Sequence, residues 1–336
     1  MRKETVLSTK TTSQKNNFKY LLYMGIVIGF ATYSAASADI VLSIVSAAVG
    51  GGFFAAVCMR KFHALIVAPM MLIPPLAVYF VTSDLIFSFM SISFLPVGLI
   101  VFYGMKKNLT RAQTVVGAIV SLGVFYALVY SSIIVKILGV LNVDAIKLYL
   151  EWNFEIIRQY MLAAEKAYVD NGLDLTQYFH EGMLEEALLS FKLSVLGYII
   201  AFLSIVSYAA TSIAKTASKK MDVYPVQLEE WKFVFSKTGA LVFVFAYLAR
   251  GMYSADTEGL YFPFAMNTIC VSLCPAIVYM GFSKFAKRFR SGARVGPFLI
   301  LALFLALSGG YIMLFLLIIG LYATFTYKSN SVENAK

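Results

Sequence analysis

Nine stretches of mostly apolar residues recur along this chain, at 20–38, 40–59, 64–83, 85–105, 114–138, 190–214, 233–252, 259–282 and 297–325. Each has about the 20 residues that a helix needs to cross ~30 Å of hydrocarbon. Barrel strands are shorter and alternate strictly, so runs of this length read as helices. A helix also satisfies its own backbone in lipid. The composition agrees: 60% of the 336 residues are apolar and 14% are charged, with a mean hydropathy of +0.78. One soluble core could not hide that much apolar surface. Disorder of the bulk is excluded by the same numbers. Three cysteines inside apolar runs exclude a disulfide scaffold. The expected fold is all-α, a polytopic transmembrane bundle of about nine spans. Asp39 and Ser83-Asp84 separate neighbouring spans, and a charge is costly at the bilayer centre, so each Asp is expected to mark a tight turn.

The net charge of +10 is unevenly placed. If residues 1–18 are cytoplasmic, the inner segments hold 20 of the 28 basic residues against Glu4, Asp222, Glu229 and Glu230 alone. The inner side then carries +16 and the outer side −6. Lys/Arg bias in short loops sets topology. The expected arrangement is a multi-pass protein of a bacterial plasma membrane, with its N-terminus cytoplasmic and its C-terminus outside. The basicity therefore reports orientation and contact with anionic lipid, and no nucleic acid is expected as a partner. Ala36-Ser37-Ala38 before Asp39 has the small-residue pattern of a cleavage site. The long apolar stretch and the span that follows at once favour an uncleaved first helix.

The chain divides into a disordered cytoplasmic tail at 1–18 and a first membrane block at 19–140 with five spans. An extracytoplasmic amphipathic hairpin at 141–189 follows, then a second membrane block of four spans at 190–327 and a tail at 328–336. In the hairpin, Ile146, Tyr149, Leu150, Ile156, Ile157, Tyr160, Met161, Ala164 and Tyr168 recur at helical spacing opposite Lys147, Glu151, Glu155, Arg158, Glu165 and Lys166. Asn171-Gly172 stops that helix, and a second one starts near Asp174. Interfacial helices usually carry Lys/Arg on their polar face. This face is mainly acidic, which favours packing over the outer mouth of the bundle against lying on the outer leaflet. At the inner loop 215–232, Pro225 breaks any arriving helix. A short interfacial helix with Trp231 at headgroup level is expected after it.

No P-loop, H-E-x-x-H or G-x-S-x-G motif occurs. Neither a catalytic residue nor a metal or cofactor is expected. Cys270 and Cys274 read as small packed hydrophobes, because a metal site needs further ligands that the span lacks. Intramembrane polar groups are the better lead. Arg250 ends span seven, Glu258 begins span eight, and Asn267 lies two turns deeper. They are the candidate ligand-binding residues, in a polar pocket that opens outward beneath the hairpin. Arg250 and Glu258 would touch a charged solute, with Asn267 as its floor. Lys136, Lys192 and Arg250 are alternatively explained by snorkelling. Pro74-Pro75, Pro96, Pro263 and Pro275 are expected to interrupt spans three, four and eight. Broken helices are tolerated where they line a cavity, so span eight is the expected lining helix. Small-residue faces at Gly25-x-x-x-Gly29, Ala48-x-x-x-Gly52-x-x-x-Ala56 and Ser308-Gly309-Gly310 let helix backbones approach.

The order of these features resembles the YybS-like family of predicted bacterial membrane proteins, a domain of unknown function. Four points carry it: the closely spaced spans at 20–138, the charged insertion at 141–189, the segment Tyr224-Pro225-Val226-Gln227-Leu228-Glu229-Glu230-Trp231-Lys232, and the basic loop Lys284–Arg294 between the last spans. The N-terminal half is similar to the S components of energy-coupling-factor transporters, which bind a solute from outside. The resemblance implies partners: a separate transmembrane coupling subunit and two ATPases. It also implies that Gly25, Gly29, Ala31 and Ala35 form a docking face on span one. The expected function is non-enzymatic small-solute binding or transport. The alternative is a structural or assembly protein that holds other envelope proteins. A membrane enzyme acting on lipid-linked substrates would have to use the acidic hairpin residues Glu181, Glu185 and Glu186 with His180.

Overall fold

The computed structural model describes residues 20–37, 40–59, 64–170, 183–225, 231–251, 261–290 and 311–327. Among them the regular structure is helical throughout. In chain order the helices are α1 (Tyr20–Ala36), α2 (Ile40–Cys58), α3 (Ala64–Thr82), α4 (Leu85–Met90), α5 (Phe94–Lys106), α6 (Arg111–Leu138), α7 (Val143–Asp170), α8 (Met183–Lys220), α9 (Lys237–Gly251), α10 (Tyr261–Arg290) and α11 (Tyr311–Thr326). Among the described residues, four stretches are long and apolar enough to cross a membrane: Leu85–Lys106, Arg111–Leu138, Glu185–Lys220 and Tyr261–Phe285. Shorter apolar helices cover Tyr20–Ala36, Leu42–Cys58, Val67–Thr82 and Met313–Thr326. The chain packs as two compact units, Met1–Val129 with Phe202–Val234, and Tyr130–Ala201 with Phe235–Lys336.

In the first unit, α1, α2, α3, α5 and the end of α8 share a core of Tyr20, Val27, Phe54, Met70, Phe94 and Met221. Small residues set its spacing. A Cβ on Gly52 of α2 would fall 2.8 Å from the Ala210 carbonyl oxygen on α8, so the small face of α2 serves packing within the chain. On α1 the four expected docking residues do not share a face. Ala31 and Ala35 are buried, while Gly25 and Gly29 are exposed and a Cβ on either would meet nothing within 4 Å. On α6, Val115, Ala118, Leu122 and Val129 are buried, whereas Val116, Val120, Val124 and Leu128 form an exposed stripe at i, i+4, i+8 and i+12. An exposed face this apolar is the inverse of a soluble helix and suits lipid.

The turns follow local chemistry. Between α3 and α4, Ser83 takes a φ of 52° and Asp84 caps α4, its Oδ1 accepting from the Ile86 N–H at 2.8 Å. The expected turn at Ser83-Asp84 is therefore present. Asp39 lies outside the described residues. α5 and α8 end alike, each with a left-handed residue after its C-cap, Asn108 (φ 55°) and Asp222 (φ 58°). Leu109 N–H donates to the Gly104 carbonyl at 2.9 Å, and Val223 N–H to Ser218 at 3.1 Å, the six-to-one bond of the Schellman motif. Thr110 and Gln113 then form a capping box that starts α6, with reciprocal bonds of 3.0 and 3.3 Å.

The prolines act differently from expectation. α10 runs unbroken from Tyr261 to Arg290 through Pro263 and Pro275, and α3 runs unbroken through Pro74-Pro75. Pro263 sits in the first turn of α10, where its missing N–H has no helical acceptor to lose. The break in the fourth apolar stretch is at 91–93, and Pro96 occupies the first turn of α5.

Candidate functional site

Arg250 and Asn267 are brought to one helix pair in the second unit. On α9, Phe243 and Ala246 are buried against Cys270 and Ile277 of α10. Arg250 follows Ala246 by four residues, so it continues that face to the end of α9, where its side chain is exposed. On α10, Asn267, Cys270, Cys274 and Ile277 recur at spacings of three and four. Glu258 lies outside the described residues.

α8 closes on the other flank of Asn267. A Cβ on Gly197 would sit 2.9 Å from Val271 Cβ and 3.1 Å from the Cα and carbonyl oxygen of Thr268, so only glycine permits this approach. One turn earlier on α8, Ser194 is buried. Asn267 thus occupies the seam between the α10 face that meets α8 and the face that meets α9. It is 6% exposed, and its Oδ1 has no hydrogen-bond partner among the described residues. The neighbouring Thr268 Oγ1 is likewise buried without one. An unmade bond of this kind costs about 1–3 kcal/mol, and native proteins seldom leave one without a use. The seam offers an acceptor and a hydroxyl that donates or accepts, and the exposed guanidinium of Arg250 ends the neighbouring helix. That set suits a solute with an anionic group and an N–H or O–H donor. Cys270 and Cys274 are free and packed among apolar side chains, as small hydrophobes would be.

A second polar feature lies where α7 meets the start of α8. Glu151, Phe154, Glu155, Arg158, Glu185, Leu188 and Lys192 line a groove of about 380 Å³. Arg158 Nε donates to Glu185 at 3.0 Å, and its Nη1 lies 3.9 Å from Glu155. Lys192 Nζ stands 5.3 Å from the centre of the Phe154 ring, so its ammonium rests on an aromatic face. Phe154 in turn meets Phe191 edge-on, 6.1 Å between centroids. The ion pairs are exposed, and each contributes at most about 1 kcal/mol. Among the described residues no group of three His, Cys, Asp or Glu could hold a metal ion. His180 and Glu181 lie outside the described residues, and Glu185 and Glu186 are exposed.

The best-formed polar cluster, in the first unit, was not marked by the sequence. Arg111, 6% exposed, donates from Nε to Thr211 Oγ1 at 3.0 Å and from Nη2 to the Tyr208 carbonyl at 3.2 Å and to Ser212 Oγ. Beside it Trp231, 4% exposed, donates its indole N–H to the Leu109 carbonyl at 2.9 Å. Lys215 Nζ donates to the Trp231 carbonyl at 3.2 Å, and Phe233 meets Tyr208 edge-on. Trp231 is thus buried and held by protein, and residues 231–236 are not helical; the stretch 226–230, where the short helix was expected to begin, lies outside the described residues. The signals that could have marked the cluster are the Thr110–Gln113 capping box and the run of Ser207, Thr211 and Ser212 on α8. Burial pushes the nearby Tyr224 phenol up to about 12, against the opposing pull of a Trp231 backbone hydrogen bond and the Arg111 charge. Comparison with known proteins adds no relative to these observations: no family model, no curated protein and no solved structure matches the chain.

Proposed function

We propose that this chain is a multi-pass protein of a bacterial plasma membrane that binds and conveys a small solute without catalysing a reaction. In this reading it has about nine spans, a cytoplasmic N-terminus, an outer C-terminus and an outer hairpin at 141–189. It works as an S component does, with a separate coupling subunit and ATPases, consistent with the YybS-like resemblance. Arg250 and Glu258 hold the charged end of the solute, and Asn267 accepts a hydrogen bond from it. The observation that supports this reading most is the buried Oδ1 of Asn267, without a hydrogen-bond partner among the described residues, on the helix that packs against the one ending at Arg250.

Thermal unfolding of the purified protein against a panel of vitamins and polar metabolites tests it. A solute at 100 times its Kd stabilises the protein by about 2.7 kcal/mol, a shift easily read. The stabilisation should vanish in Arg250→Ala and Asn267→Leu. If no compound stabilises the protein and both variants behave like the parent, the pocket reading falls.

The second reading is an envelope assembly protein. It draws on the basic end of α10, where Lys287, Arg288 and Arg290 follow the apolar stretch that ends at Phe285. Crosslinking with co-purification separates the two readings. A stable envelope complex without ATPases supports assembly, and a complex with ATPases supports transport.

A further inference from the structure

α7 meets the start of α8 through a polar groove, which Glu151, Glu155 and Arg158 share with Glu185 and Lys192. Part of its apolar stripe stays uncovered: Ile146, Leu150, Ile156 and Tyr160 are 40%, 44%, 50% and 74% exposed, while Tyr149, Ile157 and Met161 of the same stripe are half-buried. At 100° per residue the four exposed residues fall within an arc of about 120°, centred opposite the three charges.

This open face continues a surface that already belongs to a membrane-crossing helix. The last turns of α6 expose Val135 and Ile137. The turn after α6 exposes Val140 and Leu141, and α7 begins with an exposed Val143. Apolar side chains are therefore exposed from the last turns of α6 through to Ile146 and Leu150, with Lys136, Asn142, Asp144 and Lys147 exposed among them. The turn is well fixed. Gly139 takes a φ of 75°, and Asn142 Oδ1 accepts from the Ala145 N–H at 2.7 Å to cap α7. α7 consequently starts at the depth where α6 leaves the hydrocarbon.

We propose that α7 is a membrane-surface helix, its apolar face seated at the headgroup–acyl boundary of the leaflet where α6 ends. The acidic polar face is no obstacle. Lys/Arg-rich faces suit helices held to the surface by anionic lipid, whereas α7 is joined to the long apolar helix α6 and its Arg158 pairs with Glu185 of α8. Tyr160 and Trp152 supply the amphipathic rings that favour this depth. The seated face replaces the lid over the bundle that its acidic character suggested.

The test is a nitroxide scan of the full chain in vesicles of three parts phosphatidylcholine to one part phosphatidylglycerol. Single cysteines are placed at Ile146, Leu150, Ile156 and Tyr160, and at Glu151, Glu155 and Gln159, with Cys58, Cys270 and Cys274 replaced by Ala. Oxygen collisions should exceed those of a water-soluble nickel chelate at the first four positions, and the reverse should hold at the last three. Collisions suppressed for both agents at Ile156 and Tyr160 would mean protein cover. Nickel collisions dominant at those two positions would mean water, and either result overturns the proposal. If the cysteine-free background does not fold, the parent chain and Trp152→Phe are compared in vesicles with brominated acyl chains. Shallow bromines should quench a component that Trp152→Phe removes. Equal quenching in the two proteins overturns the proposal.

Discussion

Trp231 and Leu109 are 122 positions apart, and a 2.9 Å bond from the indole N–H to the Leu109 carbonyl ties them together. The acceptor is available because Asn108 takes a left-handed conformation and turns the chain out of α5. A helix ending, a capping box and an aromatic anchor thus meet at one point. Replacing Trp231 with Phe keeps an aromatic ring and removes the donor, leaving a part-buried carbonyl short of its partner. The expected loss is about 1–3 kcal/mol, seen as a lower melting temperature in detergent. An unchanged melting temperature would show that water already satisfies Leu109.

Arg111 should resist its conservative replacement. The guanidinium uses separate nitrogens to reach Thr211 and the Tyr208–Ser212 pair, a fork that an ammonium cannot reproduce. Arg111→Lys should lower stability by about 1.5–3 kcal/mol, close to the effect of Arg111→Gln. A Lys variant as stable as the parent would mean that charge alone holds the site.

Tyr224 should ionise late. With its phenol pushed up to about 12, the folded state keeps the proton after an unfolded chain, near 10, has lost it. The folded state then binds more protons than the unfolded one, so this contribution is fully present below pH 10. It is lost as the pH rises from about 10 to 12. The difference in ultraviolet absorbance between the parent and Tyr224→Phe should show no phenolate step below pH 11. A step near pH 10 would contradict the buried environment.

The crossing of α10 and α11 depends on two glycines. A Cβ on Gly281 would meet the Leu316 carbonyl oxygen, and one on Gly320 would meet the Ile277 carbonyl oxygen. Both obstacles are backbone, so side-chain rearrangement gives no relief. Gly281→Ala and Gly320→Ala should each cost about 1–3 kcal/mol by overpacking. Gly25→Ala, at an open position on α1, should be neutral or stabilising by up to about 1 kcal/mol. Thermal unfolding of the three variants side by side checks the contrast.

Arg158 and Glu185 join α7 to α8 through an exposed bond of 3.0 Å. A double-mutant cycle with Arg158→Ala and Glu185→Ala should give a coupling of about 0.2–1 kcal/mol. The coupling should shrink as salt is raised, because exposed charges are screened. Zero coupling at low salt would mean that α7 is held to α8 elsewhere, with Phe154 and Phe191 the nearest alternative.

The helices and the Ser83-Asp84 turn were legible because apolar run length and turn chemistry act locally. The amphipathic character of α7 was also legible, but not which face it turns to its neighbour. Periodicity locates a stripe and says nothing about what covers it. Trp231 read as a headgroup anchor because an aromatic residue at the inner end of a span suits lipid and protein equally. The deciding partner, Leu109, lies too far away in sequence to be inferred. Pro275 read as a break, yet α10 passes through it, since a packed helix tolerates the loss of one backbone bond. Arg250 and Asn267 were legible as polar residues among apolar ones, and the helical spacing of Phe243, Ala246 and Arg250 puts Arg250 on the α9 face that packs against α10. The isolation of Asn267 Oδ1 depends on packing and could not be read from composition.

The α10–α11 contact has a consequence for how this chain can drift. Every coding change at Gly281 or Gly320 adds at least one carbon, and at both positions that carbon meets backbone that every sequence shares. No compensating substitution nearby can remove a main-chain carbonyl. Lipid-facing valines such as Val116 and Val120 can exchange freely with other apolar residues. The two glycines should therefore remain fixed points in descendants of this chain whose surrounding residues have been replaced.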